Sequence, residues 1–360
     1  MNGLTRSWIN IALAVPVGLV LMFPVPPVYA AEIGIILVPR NISQLRPADF
    51  IDGVEDLKRL KTTVNLALFG GNELESSPGR YAVEERLGGY NYIAATLQPR
   101  VNYLGVSLIN TTRRDIASDL ETLSWSDPRM LQRFSALLDR IATTLKVVPT
   151  QFLIGNEVDV YFESRSEELV PYLEFFRSAR ELVLKKYPHA QVGISVTYEG
   201  LTKARGETIR KVIDASDAAF FTYYPLSAGD QTPQAYARGI DLMLKAAGPK
   251  PVLLQEVGFS TSPGGIATPT EQEKFFRFIL PAIEREPRIS MAAIFALHDI
   301  DPPLCGKLVQ YYGFAAADKR MKDVFSSMIC SLGLKTSDGR PKPAWAYVSK
   351  LLQDTPLGSR

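Results

Sequence analysis

The chain has 360 residues, with 40 Lys and Arg against 38 Asp and Glu, a formal net charge of +2, two Cys and two His. Charges of both signs are mixed along it, so there is no basic block for nucleic acid, and two histidines without a CxxC leave no His-rich zinc set. A chain of this size buries about three-quarters of its unfolded surface and needs no staple to fold.

Residues 1–30 carry Arg6 in a short polar lead, an apolar stretch from Trp8 to Phe23, and the small-residue end Val28-Tyr29-Ala30. That is the layout of a signal peptide, cleaved after Ala30 or Ala31, and it predicts a secreted or periplasmic protein with no membrane partner after cleavage. An uncleaved anchor is the alternative. Pro16, Pro24, Pro26 and Pro27 interrupt the stretch, and its length is short for about 30 Å of hydrocarbon.

From residue 31 onward the pattern alternates strand and helix. A buried strand over 33–38 precedes a helix over 47–61, with Phe50, Val54, Leu57 and Leu60 at helical spacing. A strand over 64–69 follows, then a helix over 81–97 that Gly88-Gly89 interrupts, then a strand over 103–109 delivering Asn110. Asp127 as N-cap and Pro128 at the first position open a helix to residue 146. Strand four is the apolar run Phe152-Leu153-Ile154, which ends in Gly155, Asn156, Glu157 and Asp159. A helix over 168–187, a strand over 192–197 ending near Glu199, a helix over 207–215 and a strand over 218–225 come next. Thr232-Pro233 opens the following helix and Gly248-Pro249 closes it. Strand seven, 252–255, ends in Gln255 and Glu256. A helix over 270–286, a strand over 292–297 and a helix over 344–352 complete the series. No element is assigned between strand eight and that last helix. Eight strand–helix units in succession predict an α/β fold of the (β/α)8 TIM-barrel type, a single domain over 31–360. An open doubly wound sheet would carry a glycine-rich phosphate loop after its first strand, and Val38-Pro39-Arg40-Asn41 is not one.

In such a barrel the strand C-termini line the functional face. They supply Asn72, Glu73, Asn110, Asn156, Glu157, Asp159, Glu199, Tyr223, Tyr224, Glu256, His298, Asp299 and Asp301. This is a polar, acidic, aromatic mouth without a cationic cluster, suited to neutral hydroxylated substrates. Two buried strands that each deliver a Glu to it point to one shared site. Glycoside hydrolysis requires two such carboxyls, one protonated to release the leaving oxygen and one ionised. A carboxylate-metal hydrolase is a competing reading, although amide-flanked carboxylates are less typical of metal sites than His-containing sets. No metal or cofactor is expected.

Gly155-Asn156-Glu157 on strand four and Gln255-Glu256-Val257-Gly258 on strand seven resemble the clan of retaining glycoside hydrolases with a 4/7 barrel. Phe221-Thr222-Tyr223-Tyr224-Pro225 resembles that clan's tyrosine strand, in a form similar to endo-β-1,4-galactanases of family 53. The overall layout is also similar to the cellulase-type family 5, and Asp338 to Trp345 looks like the segment before the last helix of such enzymes. The resemblance implies a double displacement on a β-linked oligo- or polysaccharide, with Glu157 as general acid/base and Glu256 as nucleophile. Asn156 and the Tyr224 hydroxyl would assist; Asn110, Glu199, Tyr223 and His298 are expected to contact substrate, with a structural hydrogen bond the equal alternative for His298. On strand parity, Tyr224 shares a face with Thr222 and Tyr223 points away. Glu157 is expected to have the raised pKa and Glu256 to stay ionised. The chain departs from the clan in lacking an arginine near the end of strand two and a tryptophan at the end of strand eight. Those departures leave open a non-catalytic or weakly active carbohydrate-binding barrel. In an exported protein Cys305 and Cys330 are expected to form a disulfide; two buried thiols are the alternative.

Overall fold

The computed structural model describes residues 31–225, 231–261, 267–313 and 319–354. The expected signal peptide, residues 1–30, lies outside the described residues. Eight parallel strands build the centre: β1 (Glu32–Ile35), β2 (Val64–Gly70), β3 (Val101–Ser107), β4 (Gln151–Leu153), β5 (Gln191–Gly193 with Ser195–Thr197), β6 (Ala219–Tyr223), β7 (Val252–Val257) and β8 (Ile289–Ile294). They pair in two ladders, β1-β8-β7-β6-β5 and β2-β3-β4-β5. The two halves of β5 belong to different ladders, so that strand joins them. At the other seam the Thr63 hydroxyl donates to the Ile33 carbonyl (3.4 Å). Inward side chains from both ladders, among them Val64, Tyr103, Leu153, Phe220, Leu253 and Met291, form one buried cluster. The ring is closed and filled, the (β/α)8 barrel that the alternating pattern predicts.

Helices α1 (Pro47–Arg59), α2 (Val83–Leu97), α3 (Pro128–Thr144), α4 (Leu169–Lys186), α5 (Gly206–Ala215), α6 (Pro233–Ala247), α7 (Pro269–Arg285) and α8 (Pro343–Asp354) follow the strands in turn. Their starts carry the signals that fixed them in the sequence. Asp127 accepts from the Arg129 N–H, Thr232 from Ala235, and Thr268 and Glu271 form a reciprocal capping box. The doubtful helix α2 forms in spite of Gly88-Gly89, because Gly89 is where the Phe50 ring of α1 comes close: a Cβ there would lie 3.4 Å from it.

Two further helices, Pro302–Tyr311 and Lys319–Cys330, stand between β8 and α8, where the sequence reading assigns nothing. Cys305 and Cys330 join them in a disulfide with Cα atoms 5.9 Å apart, as expected. This pair packs over the strand C-termini and walls the site on one side. No helix among the described residues is long and apolar enough to cross a membrane.

Candidate active site

The path out of β4 determines where Glu157 points. Gly155 has φ 109°, and a Cβ there would strike the Tyr172 hydroxyl, which donates to the Ile154 carbonyl. Glu157 follows with φ 50°, a left-handed conformation costing about 1–2 kcal/mol for a residue with a side chain. Neighbours enforce it. The Asn156 N–H donates to the Ile109 carbonyl (2.8 Å), the Thr111 N–H to the Asn156 carbonyl (2.9 Å), and the Glu157 N–H to the Ser195 hydroxyl (3.0 Å). So held, the Glu157 carboxylate accepts from the Thr111 hydroxyl and from the Thr222 hydroxyl of β6, both at 2.7 Å.

Glu256 arrives by a different device. Along the β6–β7 ladder Phe221 faces Leu254 and Thr222 faces Glu256, so Gln255 is an extra residue, a bulge. It lets two successive residues serve the site. Gln255 is fully buried; its Nε2 donates to Asn156 Oδ1 (2.7 Å) and its Oε1 accepts from the Tyr103 hydroxyl (2.5 Å). The Glu256 carboxylate accepts from the Tyr224 hydroxyl (2.5 Å) and, more weakly, from Gln255 Nε2 (3.4 Å). Thr222 thus reaches Glu157 and Tyr224 reaches Glu256, as the shared face of residues 222 and 224 predicts.

Burial, and then the negative charge of Glu157, push Glu256 up to about 7, while the Tyr224 and Gln255 hydrogen bonds pull it down. This upward shift falls on the carboxyl that was expected to stay ionised. The reason is depth: Glu256 sits at the foot of the cavity, where burial disfavours its charged form. Burial likewise raises Tyr224 well above the ordinary tyrosine value. Asp159, wholly buried two residues after Glu157, is raised to about 7 by burial, against the opposing charge of Arg205 and hydrogen bonds from Thr197.

Glu157 and Glu256 open onto one cavity of about 380 Å³. Thr111, Asn156, Glu199, Lys203, Arg205 and Tyr224 line its polar side; Phe295, Tyr312, Phe325, Met328 and Ile329 line its apolar side. Four of those five apolar residues belong to the Pro302–Cys330 insertion, and Phe295 stands at the end of β8, where the clan's tryptophan was missed. Sequence reasoning passed over Thr111, Thr222 and Ser195. Thr222 was findable, two residues before Tyr224 on the same face.

Other expected residues fall differently. Asn156 is buried, its side-chain oxygen accepting from Ser195 (2.9 Å) and Gln255, its amide donating to Asn110 Oδ1 (3.2 Å). Asn110 donates in turn to the Tyr311 hydroxyl (3.0 Å), so it braces Asn156 and is not among the residues lining the cavity. Tyr223 does not contact the site: it is fully buried toward the helices, its hydroxyl on the Tyr236 carbonyl (3.2 Å) and its ring against Tyr198. His298 takes the structural one of its two expected roles and not substrate contact, being buried with Nδ1 on the Val38 carbonyl (2.8 Å), a link between the ends of β1 and β8. Glu73, counted at the mouth, is exposed and does not line the carboxylate cavity. Among the described residues no group of three or more His, Cys, Asp or Glu is placed to hold a metal ion.

No protein-family model matches the chain, and no curated protein is similar to it in sequence. Solved structures are similar in fold. An exo-β-1,4-mannosidase from Opitutaceae bacterium strain TAV5 is 18% identical with a TM-score of 0.67, over 90% of this chain and 59% of that one. A GH5_18 protein from Streptomyces cattleya, solved with GlcNAc, is 15% identical with a TM-score of 0.70, over 91% and 82%. A β-glucuronidase from Bacteroides uniformis is 12% identical with a TM-score of 0.63, over 91% and 36%. The chain therefore spans less than two-thirds of the mannosidase and about a third of the glucuronidase. What they share with it is the fold, the (β/α)8 barrel of glycoside hydrolases. The GH5 label falls on the family 5 side of the resemblance; the galactanase side rests on Tyr223-Tyr224-Pro225 alone.

Proposed function

We propose that this protein is an exported retaining glycoside hydrolase that cleaves a β-linked oligo- or polysaccharide by double displacement. The observation that carries the reading is that Glu157 and Glu256, from the ends of β4 and β7, enter one cavity and interact electrically. Glu256 attacks the anomeric carbon while Glu157 protonates the departing oxygen; Glu157 then takes a proton from the water that releases the sugar from Glu256. The proposed reaction needs the proton on Glu157 and an ionised Glu256 when the substrate binds. Thr111 and Thr222 suit both states, because a hydroxyl donates to a carboxylate and turns to accept from a carboxylic acid. Tyr224 donates to Oε2 of the ionised Glu256, and Oε1 carries only the weak Gln255 contact at 3.4 Å, which leaves it available to the sugar. The apolar side of the cavity offers Tyr312 and Phe325 to the C–H face of a sugar ring. Export is inferred from the pattern of residues 1–30 and fits the disulfide.

The test is a pair of variants. Glu256→Ala is expected to abolish turnover on every substrate. Glu157→Ala should fail on unactivated saccharides yet still be glycosylated by an activated aryl glycoside, with azide accelerating the second step. Equal loss on both substrate types in folded Glu157→Ala refutes the acid/base role, and normal turnover in Glu256→Ala refutes the glycosidase. One observation favours the second reading, a sugar-binding barrel without turnover. Beyond Glu256 lies another cavity of about 380 Å³ in which β2 presents only Leu66, Ala67, Leu68 and Phe69, giving a sugar no hydrogen-bonding side chain from that strand. Saccharide binding by a protein whose Glu256→Ala variant is indistinguishable from wild type would establish that reading.

A further inference from the structure

Next to the carboxylate cavity runs an open groove of about 720 Å³, and the two share Thr112 and Tyr312 as common wall. Three arginines line it, Arg113, Arg114 and Arg165, each with its guanidinium over an aromatic ring: Arg113 on Tyr311 (4.9 Å), Arg114 on Trp125 (4.6 Å), Arg165 on Tyr161 (4.6 Å). Stacking fixes the plane of a guanidinium and leaves its N–H edge free to bond. The three differ in how far that edge is already engaged. Arg114 is committed, to Glu168 at 2.5 Å, the Tyr161 hydroxyl and the carbonyls of Glu121 and Leu123. Glu168 is saturated in turn by Arg114, Tyr161 (2.7 Å) and Trp125 (2.9 Å).

Arg113 is half-exposed; its Nε donates to the Arg114 carbonyl (3.4 Å) and stands 3.9 Å from Asp115 Oδ1, while the Tyr311 hydroxyl donates to Asp115 Oδ2, so its two terminal nitrogens are the free edge. Arg165 bonds the Ser164 hydroxyl (3.3 Å) and forms no ion pair among the described residues. Against these two oriented cations the groove sets one exposed carboxylate, Glu121. The mouth is thus not free of cationic groups, as the sequence reading had it. Arg113 and Arg114 follow β3 in a short antiparallel ladder, and Arg165 follows the small helix after Glu157.

The geometry points to a carboxylate-binding subsite: Arg113 and Arg165 hold a uronic acid unit of the saccharide whose neighbouring linkage lies at Glu157 and Glu256. Two guanidinium edges aimed into a groove are suited to a planar carboxylate, which accepts two parallel N–H bonds. Phosphate is not required by anything in the site. This deepens the glycosidase reading and rests on it for the identity of the ligand as a saccharide, so the test reads binding and not turnover.

Calorimetry would compare cello-, manno- and galacto-oligosaccharides oxidised at C6 to uronic acids with their unoxidised counterparts. With the wild-type protein at low salt, at least one oxidised member should bind about tenfold more tightly than its counterpart. The advantage should shrink as salt is raised and should vanish in Arg113→Gln/Arg165→Gln, two surface changes compatible with folding. Equal affinity of every oxidised and unoxidised pair overturns the proposal, and so does an advantage that survives in the double variant. If oxidised ligands bind as described while no glycoside is hydrolysed, the subsite stands and the catalytic reading falls.

Discussion

Tyr224→Phe removes one hydroxyl and leaves the ring against Phe295, 6.5 Å away and nearly perpendicular. What is lost is the 2.5 Å hydrogen bond to Glu256, a charge-assisted bond that exists in full only when the carboxyl is ionised. Such bonds are worth about 1.5–3 kcal/mol, and at 1.36 kcal/mol per unit the loss raises the Glu256 pKa by about one to two units. The sign is fixed, since a donor to the charged form always lowers a carboxyl pKa and its removal raises it. Burial and Glu157 already hold Glu256 at about 7, so in the variant most of Glu256, the proposed nucleophile, is protonated at neutral pH. The assay is the pH profile of kcat/KM on an activated aryl glycoside. The acidic limb should move to higher pH by one to two units, with recovery of much of the activity above pH 8. A limb that stays in place while activity falls at every pH would mean that Tyr224 does not act through the charge of Glu256.

Thr222→Val should leave the fold intact and cost about tenfold in kcat/KM on unactivated substrates, with less effect on activated ones, because the lost bond orients Glu157 (steady-state kinetics on both). Gly155→Ala should destabilise by more than about 1 kcal/mol, since φ 109° and the Tyr172 hydroxyl both oppose a Cβ; urea melts measure it. Asp159 and Glu256 have folded pKa values of about 7, above the unfolded values of about 3.9 and 4.3, so the folded state binds more protons than the unfolded state between those limits. Their contribution to stability should therefore be full below about pH 4 and be lost as pH rises through 7, which Glu256→Gln should partly flatten in a pH series of melts. Cys305→Ser/Cys330→Ser should lose about 3 kcal/mol, from a closed loop of 25 residues, and reduction of the wild type should lower its Tm comparably.

The barrel was legible because buried parallel strands are continuous apolar runs and their helices begin with Pro, Asp and Thr signals that act locally. The two glutamates were legible because charge directly after such a run has nowhere to go but a cleft. What escaped was set by three-dimensional packing. The Gln255 bulge depends on the register with β6, which no periodicity in 252–257 reveals, and it decides that both Gln255 and Glu256 face the site. The helices Pro302–Tyr311 and Lys319–Cys330 have ordinary apolar spacing, so nothing local says that they lean over the mouth in place of joining the outer layer. Tyr223 was misjudged and His298 left open between two roles for one reason: a position at a strand end does not give the direction of the side chain. For Tyr223 the parity beside Tyr224 contained the answer; for His298 the partner, Val38, lies 260 residues away.

The ring consists of two ladders, and the two carboxyls do not belong to the same one. Glu157 follows β4 in the four-stranded ladder, whereas Glu256 lies on β7 in the five-stranded ladder. Their separation depends on how the two arcs are clamped together where β5 joins them, by the Ser195 N–H on the Gly155 carbonyl and by side chains. The side-chain clamps around the two carboxyls include Ser195 of β5 on Asn156 and on the Glu157 N–H, Thr222 of β6 on Glu157, Gln255 of β7 on Asn156, and Tyr103 of β3 on Gln255. A substitution at any of these could leave each arc rigid and the protein folded while altering the gap between the carboxyls. Since that gap separates retention from inversion in glycoside hydrolysis, the stereochemistry of the product reports on the clamps as directly as the rate does.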